Sequence, residues 1–548
     1  MLTFLEQNYD HVFEAQHRDF LTCFRELDRN SQALYVRLVN RKGRVFAISR
    51  LRYPEIGSTQ QPIGNLREAG FIGSPGKEHF DDVLRFLTKA EILAVLTATL
   101  AGVPRSARKQ DLIALAQSHC APTEFMNCLK TSRIVVQRHA DTVRYLLYLY
   151  FGRIREGMDQ FTMRDMGLVR PHDFKSSYEA RFQDIDEARE HYYFASRLHA
   201  VRRSPPSSSV IDRLSGESAD WPEPATNGAA RLRDKLAYAL GQVQEQLSQD
   251  DLAITIYRRG EATRCTERAI RLMLKLDHRD DARRHLEQLM EFPRSDEEVT
   301  FARDLYARKF DRKRTSTATD ILRAADTIDI DEAYHGAPEK AAVAWYEAQG
   351  ERAFRVENSL WRTFFGVLFW EALFERSETE LHSPFDAIPR SLQTGTFYDN
   401  HAELVESRLT LIDDPARLKL ELLRVSTRHF GVQNGVFRWR QRTLDALFAF
   451  IDVAMAGPVQ TILRQMSQHY PDMRYGYPDL LVLDKDGARF VEIKAEGDQL
   501  RRNQLVKIEQ LRNAGFRTDV VRTRWAVDPN QTYVVVDVET TGGKGVQH

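Results

Sequence analysis

YGYPDLLVLDKDGARFVEIKA, residues Tyr475 to Ala495, decides the fold. Leu480 to Leu483 is an apolar run, and Asp484-Lys485-Asp486-Gly487 carries the Asp-Gly signal that closes a tight hairpin, so two antiparallel strands are expected. Side chains alternate along the second strand, which puts Ala488, Phe490, Glu492 and Lys494 on one face and Arg489, Val491, Ile493 and Ala495 on the other. Glu492 and Lys494 then point the same way, beside Asp479 at the start of the partner strand. Two carboxylates converging on one place repel each other unless a cation lies between them, and hard oxygen ligands suit Mg²⁺ or Mn²⁺. A lysine two residues beyond such a carboxylate can orient or deprotonate water and offset charge on a phosphate, so the implied chemistry is phosphodiester hydrolysis. Alternating Glu and Lys also describes a half-exposed edge strand. The following segment favours a site: Leu505, Ile508 and Leu511 form a helical stripe that stops at Gly515, and Thr518 to Val521 reads as another strand.

Strand, strand, helix, strand with this chemistry resembles the VRR-NUC domain of the PD-(D/E)xK nuclease superfamily, in particular that of the Fanconi-anaemia-associated nucleases. The residues that carry the resemblance are YPDLLVL and FVEIKAEGDQLRRNQL, with HFGVQNGV at His429 to Val436, Gly457-Pro458, and VENSLWRTFFGVLFWE at Val356 to Glu371 upstream. The resemblance implies a third acidic metal ligand opening the upstream helix; the matching position is Glu357, with Glu371 as its rival. It also implies a contact near the site for Gln504. The expected ligand set is Asp479, Glu492 and Glu357 with the backbone carbonyl of Ile493, holding Mg²⁺ or Mn²⁺, while Lys494 acts on the water nucleophile. Membership implies further that branched or flapped double-stranded DNA is the partner. The activities that follow are incision near 5′ flap junctions, 5′-to-3′ exonuclease action and a role in interstrand crosslink repair.

A chain of 548 residues is too long for one core and suggests three or four domains. Its 78 basic and 78 acidic residues cancel, so positive charge for a nucleic-acid partner must be clustered. Cys23, Cys120, Cys128 and Cys265 show no C-x-x-C spacing, and His119 beside Cys120 lacks further ligands. Ordinary reduced cysteines in an intracellular compartment are expected, the cytoplasm or nucleoid if the source is bacterial. Too few cysteines remain for the ubiquitin-binding zinc finger of the eukaryotic relatives, so a bacterial-type member is expected. The first residues carry acids rather than a basic-then-apolar leader, and no apolar run of about 18 residues occurs, so neither a signal peptide nor a membrane partner is expected.

The expected fold class is multi-domain and mainly α, with a C-terminal α/β restriction-endonuclease-like domain. Residues 1–75 form an N-terminal basic region with a short strand at Arg44 to Ser49, where Arg41, Lys42 and Arg44 are candidates for gripping a phosphate backbone. Residues 76–202 hold two short helices and a helical extension. Thr88-Lys-Ala-Glu91 is a capping box, Leu93, Leu96 and Leu100 fall on one stripe, and Arg105, Arg108 and Lys109 open the second helix, a layout that resembles a SAP-type DNA-binding module. Tyr145 to Phe151 is too apolar to face water and reads as core rather than a base-stacking platform. Residues 203–228, rich in Pro and Ser, read as a linker or exposed loop.

Residues 229–350 form amphipathic helices that resemble the family's tetratricopeptide-like region, with stripes at Leu232, Leu236, Leu240 and Val243 and at Ala282, Leu286 and Leu289. Arg308, Lys309, Arg312, Lys313 and Arg314 make the densest basic run and a candidate duplex contact. Residues 351–548 form the nuclease domain, where Arg474 is placed to anchor a phosphate. For every basic group a solvated surface is the competing reading. Two rivals to the whole assignment exist. A non-catalytic DNA- or protein-binding scaffold would have a damaged carboxylate set, whereas Asp479, Glu492 and Lys494 are intact. A sequence-specific restriction-type enzyme would need a base-reading helix or a dimer, and neither is evident.

Overall fold

The computed structural model describes residues 1–41, 43–129, 133–155, 157–158, 161, 178, 180–375, 381–383 and 386–526. The chain forms two compact units: Met1–Cys265 with the described part of Glu378–Asp386, and Thr266–Ser377 with the described part of Ala387–His548. The architecture is mainly helical with a C-terminal α/β domain, as expected. No helix among the described residues is long and apolar enough to cross a membrane.

In the first unit a small sheet is built from β1 (Val45–Ala47), β2 (Ile72–Gly73) and β3 (Ile134–Gln137), with β3 central and antiparallel to both neighbours. β1 is the strand expected in the basic region. The helix Ala140–Phe151 buries Val143 and all seven residues from Tyr145 to Phe151, so that aromatic run is core. Helix Lys89–Thr99 starts with the expected capping box: Thr88 N–H donates to Glu91 Oε2 at 2.7 Å and Glu91 N–H to Thr88 Oγ1 at 3.3 Å. Its buried residues are Ile92, Val95 and Leu96, while Leu93 and Leu100 only flank the core. The buried face is thus turned by about one residue from the leucine stripe.

The segment 203–228 differs from the expected linker. It contains the helix Ser209–Gly216, which buries Ile211 and Leu214, and Trp221 beyond it is 3% exposed. Ser215 is anchored by the Gln244 side-chain amide at 2.8 Å. Pro205 and Ser208 form only the turn before this helix, where Ser208 Oγ donates to the Pro205 carbonyl at 2.8 Å. Three apolar side chains at suitable spacing outweigh the Pro/Ser composition around them.

The second unit is organised on a five-stranded sheet of order β4-β8-β7-β6-β5. Its strands are β4 (Asp326–Asp331), β5 (Arg352–Arg355), β6 (Leu480–Asp484), β7 (Gly487–Lys494) and β8 (Arg517–Ala526). β6 and β7 form the expected hairpin in the register Asp484↔Gly487 to Leu480↔Val491, and Gly487, at φ +108°, meets the turn's need for a left-handed residue. β8 returns parallel to β7 through the helix Arg502–Ala514, which ends at Gly515 as its stripe predicts. β5 pairs antiparallel with β6, and β4 parallel with β8.

The sheet starts earlier than residue 351. In DTIDID, β4 buries Ile328 and Ile330 and exposes the polar residues between them, a period-2 pattern inside a segment assigned to helical repeats. Conversely, Asp386 belongs to the first unit, where both carboxylate oxygens accept from Arg181 at 2.8–2.9 Å. The stripe Ala282, Leu286 and Leu289 is buried as expected, on the helix Arg279–Glu291.

The two faces of the sheet are covered by different helices. Val491, Ile493, Leu480 and Val482 pack with Ala341, Ala342 and Tyr346 of the helix Pro338–Ala348. Opposite, Phe490 meets Trp361 of the helix Ser359–Leu368 at 5.8 Å between ring centroids. Trp361 is fully buried and lies 5.7–5.9 Å from Phe450, Tyr477, Phe490 and Phe516. Truncating such a residue loses transfer energy and leaves a cavity. Trp361→Ala is therefore expected to destabilise the second unit by about 3–5 kcal/mol, read from chemical denaturation, while the first unit unfolds as in wild type.

Candidate active site

Leu480 pairs with Val491, so Asp479, one residue before β6, stands opposite Glu492 on β7. Glu492 is 0% exposed and Lys494, two residues on along the same face, is 8% exposed. Asp479 Oδ2 accepts from the Ile493 N–H at 2.9 Å. Lys494 Nζ lies 2.7 Å from Glu492 Oε1 and donates to Gln504 Oε1 at 3.2 Å, and the Gln504 amide donates back to Glu492 Oε1. Glu492 Oε2 is buried with no hydrogen-bond partner among the described residues. A buried carboxylate oxygen left bare is costly and calls for a ligand.

The electrostatics agree with that geometry. Burial pushes the Asp479 carboxyl up to about 6, against the Ile493 N–H and Lys494, which lower it; Glu339 and Glu357 raise it further. Burial pushes Glu492 up to about 7, the nearby Asp479 charge adding to the rise and Lys494 opposing it. Both carboxylates are thus held back from ionising by desolvation, and Glu492 also by the Asp479 charge.

Glu357 is brought close by β5. As that strand ends beside the start of β6, the N–H groups of Val356 and Glu357 both donate to the Asp479 carbonyl, at 2.9 and 3.0 Å. Glu357 does not lie inside the helix. It occupies an exposed turn ahead of Ser359 at φ +37°, because the double hydrogen bond to Asp479 ends the strand and Asn358 precedes the first helical residue. Its carboxylate accepts from Asn358 Nδ2 at 2.9 Å. Glu371 sits elsewhere, in an ion pair with Arg408 at 2.5 Å. Among the described residues no three His, Cys, Asp or Glu side chains are close enough together to close a metal site. Asp479 and Glu492 form a pair, and Glu357 is the carboxylate whose charge both of them feel.

Asn358 is the connecting residue that sequence reasoning missed. Its Oδ1 accepts from the N–H groups of Gly476 and Tyr477 at 2.7 and 3.2 Å, tying the Glu357 turn to the loop that leads into Pro478-Asp479. Gly476, at φ +96°, lies so close to the helix Arg502–Ala514 that a Cβ would come within 2.7 Å of the Asn503 carbonyl. That glycine was the available signal for a loop pressed against another element. Lys507 was also missed: it is 4% exposed and donates to Gln510 Oε1 at 2.7 Å, and burial lowers its pKa to about 8.

The nominated basic residues behave unequally. Lys42 lies outside the described residues. Arg41 stands over the Tyr53 ring at 5.5 Å, and Arg44 pairs with Asp141 at 3.0 Å. Arg105 and Arg108 are exposed, whereas Lys109 Nζ donates to the Arg85 carbonyl at 2.7 Å. Arg308 pairs with Asp304 and Lys313 with Asp320, while Lys309, Arg312 and Arg314 are exposed. Arg474 is partly buried with its guanidinium 4.9 Å from the Tyr475 ring, and Gln504 bridges Glu492 and Lys494.

Residues 1–73 match the family described as FAN1, HTH domain, and residues 416–525 match the VRR-NUC domain. A Fanconi-associated nuclease 1 homolog of Pseudomonas aeruginosa is 25% identical, over 96% of this chain and 95% of its own length. The homolog of Arabidopsis thaliana is 23% identical over 94% of this chain and 65% of its own length. A crystal structure of paFAN1 bound to 1nt 5′ flap DNA with gap has a TM-score of 0.78 at 24% identity, covering 96% of this chain and 98% of that one. This likeness establishes the fold over nearly the whole chain. Both domain families are thus matched, and the chain is similar over nearly its whole length to a Fanconi-associated nuclease 1 homolog.

Proposed function

We propose that this chain is a metal-dependent, structure-specific DNA nuclease that hydrolyses phosphodiester bonds in branched or flapped double-stranded DNA. It acts as a 5′ flap endonuclease and 5′-to-3′ exonuclease in interstrand crosslink repair. The observation that carries this reading is the Asp479–Glu492 pair, with a buried Glu492 oxygen that has no partner among the described residues and Lys494 alongside. The family supports the reaction, and the paFAN1 complex with flap DNA supports the substrate class. An intact carboxylate-lysine set argues against a scaffold that keeps only the nuclease fold.

The donor set fits a hard divalent cation, Mg²⁺ or Mn²⁺: two oxygen ligands that resist sharing a corner while ionised, and one oxygen with no bond to make. Asp479 and Glu492 would hold it, with Glu357 turning from Asn358 to join them. The Ile493 carbonyl would also contribute, since it lies on the strand edge whose N–H already faces Asp479. When bound, such an ion supplies positive charge that acidifies water and offsets charge on the phosphate. Lys494 has one ammonium proton beyond those directed at Glu492 and Gln504, and that donor orients the attacking water or a phosphate oxygen. Gln504 fixes the lysine's position. The water oxygen bonds to phosphorus as the bond to the leaving sugar oxygen breaks.

On a 5′ flap substrate labelled at its 5′ end, with Mg²⁺ or Mn²⁺, Asp479→Ala is expected to lose product by about 10²-fold or more. An unchanged product pattern would remove the catalytic assignment. Lys494→Ala should lose cleavage to a similar degree yet bind the same DNA as wild type in a gel-shift assay; loss of binding instead points to a structural role.

A second expectation concerns pH. A carboxylate whose folded pKa exceeds its unfolded value favours folding only while protonated. Asp479 and Glu492 therefore leave stability untouched below about pH 4 and weaken the metal-free fold as pH rises through about 6 to 7. The urea midpoint of metal-free wild type should fall relative to Glu492→Gln between pH 4.5 and 8. Mn²⁺ should reverse the fall in wild type and not in the variant. A constant difference across that range would sink the buried-pair account.

A further inference from the structure

The loop entering Pro478-Asp479 presents a cluster that the cleavage chemistry does not use. Tyr475 is 46% exposed, an unusual state for an aromatic ring beside Gly476, Tyr477 and Pro478, all of which are buried. The Arg474 guanidinium lies 4.9 Å and the Arg362 guanidinium 5.4 Å from the centroid of that ring. Neither guanidinium meets a carboxylate among the described residues. Arg362 directs Nε to the Val436 carbonyl at 2.7 Å and Nη2 to the Gly435 carbonyl at 3.5 Å, which fixes the side chain without neutralising it. Arg474 Nε is buried with no hydrogen-bond partner among the described residues.

The loop that carries this cluster is anchored to the segments that carry the carboxylates. Gly476 and Tyr477 are hydrogen-bonded to Asn358, Gly476 abuts the Asn503 carbonyl, and the Asp479 carbonyl takes the N–H groups of Val356 and Glu357. Tyr475 therefore stands at a set place beside the site rather than on a free loop. An exposed ring next to two uncompensated guanidiniums has the chemistry of a nucleotide site: guanidinium binds phosphate oxygens through planar paired donors, and the ring takes the face of a base. In continuous duplex both faces of each base are covered by neighbours, so the ring can engage only a base that has left the stack.

We propose that Tyr475, with Arg362 and Arg474, holds an unstacked nucleotide next to the scissile phosphate and so favours frayed or gapped ends over continuous duplex. This rests on the nuclease reading above. The test uses the full chain with Mg²⁺ and flap substrates in which one abasic residue is walked across the three nucleotides on either side of the cut. Wild type, Tyr475→Ala and Tyr475→Phe are compared by kcat/KM, after their melting curves are matched. One abasic position is expected to slow wild type about tenfold. Tyr475→Ala should be slowed to a similar extent on the intact substrate and no further on that abasic one, while Tyr475→Phe stays near wild type. Losses that multiply at every position, an unaffected Tyr475→Ala, or a Tyr475→Phe as slow as the alanine variant would each overturn the proposal. A wild type that gives no metal-dependent product on any substrate would instead overturn the nuclease reading, with Asp479→Ala as the matched control.

Discussion

Two carboxylates share one corner of a sheet, and a buried oxygen of Glu492 has no hydrogen-bond partner among the described residues. Such an arrangement cannot arise from its own energetics, because desolvation and mutual repulsion both oppose it. It persists because the register of the hairpin leaves the side chains no alternative. A one-residue slip between β6 and β7 would turn Glu492 and Lys494 toward Ala341, Ala342 and Tyr346 and bring Val491 and Ile493 out to the site. The apolar face sets the register, and the register places the charges. Strain at the site is thus carried by the burial of Phe490, Trp361, Phe450 and Phe516 behind it, where about 1.5–3 kcal/mol per fully buried large side chain accumulates.

The second dependency is the Asp479 main chain. Its carbonyl accepts the N–H groups of Val356 and Glu357, and its carboxylate accepts from Ile493. One residue therefore joins three segments: the end of β5, the start of β6 and the end of β7. The Glu357 turn comes beside Asp479 from more than a hundred residues upstream because β5 is an added strand beside β6, so its chain end arrives where β6 begins. Asn358 then fastens the same turn to Gly476 and Tyr477. The positive φ of Glu357 is the local cost of ending a strand and starting a helix within three residues while keeping both hydrogen bonds.

What was legible in the sequence follows from the range of the forces involved. The hairpin, the Arg502–Ala514 helix and the shared face of Glu492 and Lys494 depend on contacts between near neighbours, and periodicity alone recovered them. The aromatic core at Tyr145 to Phe151 was legible for the same reason. Strands β4 and β5 were not anticipated, because each is short and its partner lies far along the chain; the alternation of DTIDID was present but was absorbed into a helical segment. The Ser209–Gly216 helix was hidden by composition, since Pro and Ser flank the apolar residues that decide its burial. At the candidate site, residue types nominated Asp479, Glu492 and Lys494, which the structure brings together, whereas Asn358 acts through a side-chain amide bonding a distant backbone, which no local pattern encodes.

Charge is the remaining constraint on recognition. A chain with equal numbers of acidic and basic residues can bind a polyanion only where its cations are not already matched. Arg44, Arg308 and Lys313 each have a carboxylate partner, so moving them onto a phosphate exchanges one ion pair for another and yields little net gain. Arg362 and Arg474, a few residues from the carboxylates, differ: backbone carbonyls hold Arg362, the Tyr475 ring lies against both, and neither meets a carboxylate among the described residues. Two guanidiniums without a carboxylate partner among the described residues, near a corner that carries two carboxyl groups, create a steep local gradient of potential. On the proposed reading a phosphate would be drawn to the guanidinium side and admitted to the carboxylate side only together with a cation, so one asymmetry would both order the substrate and call for a metal.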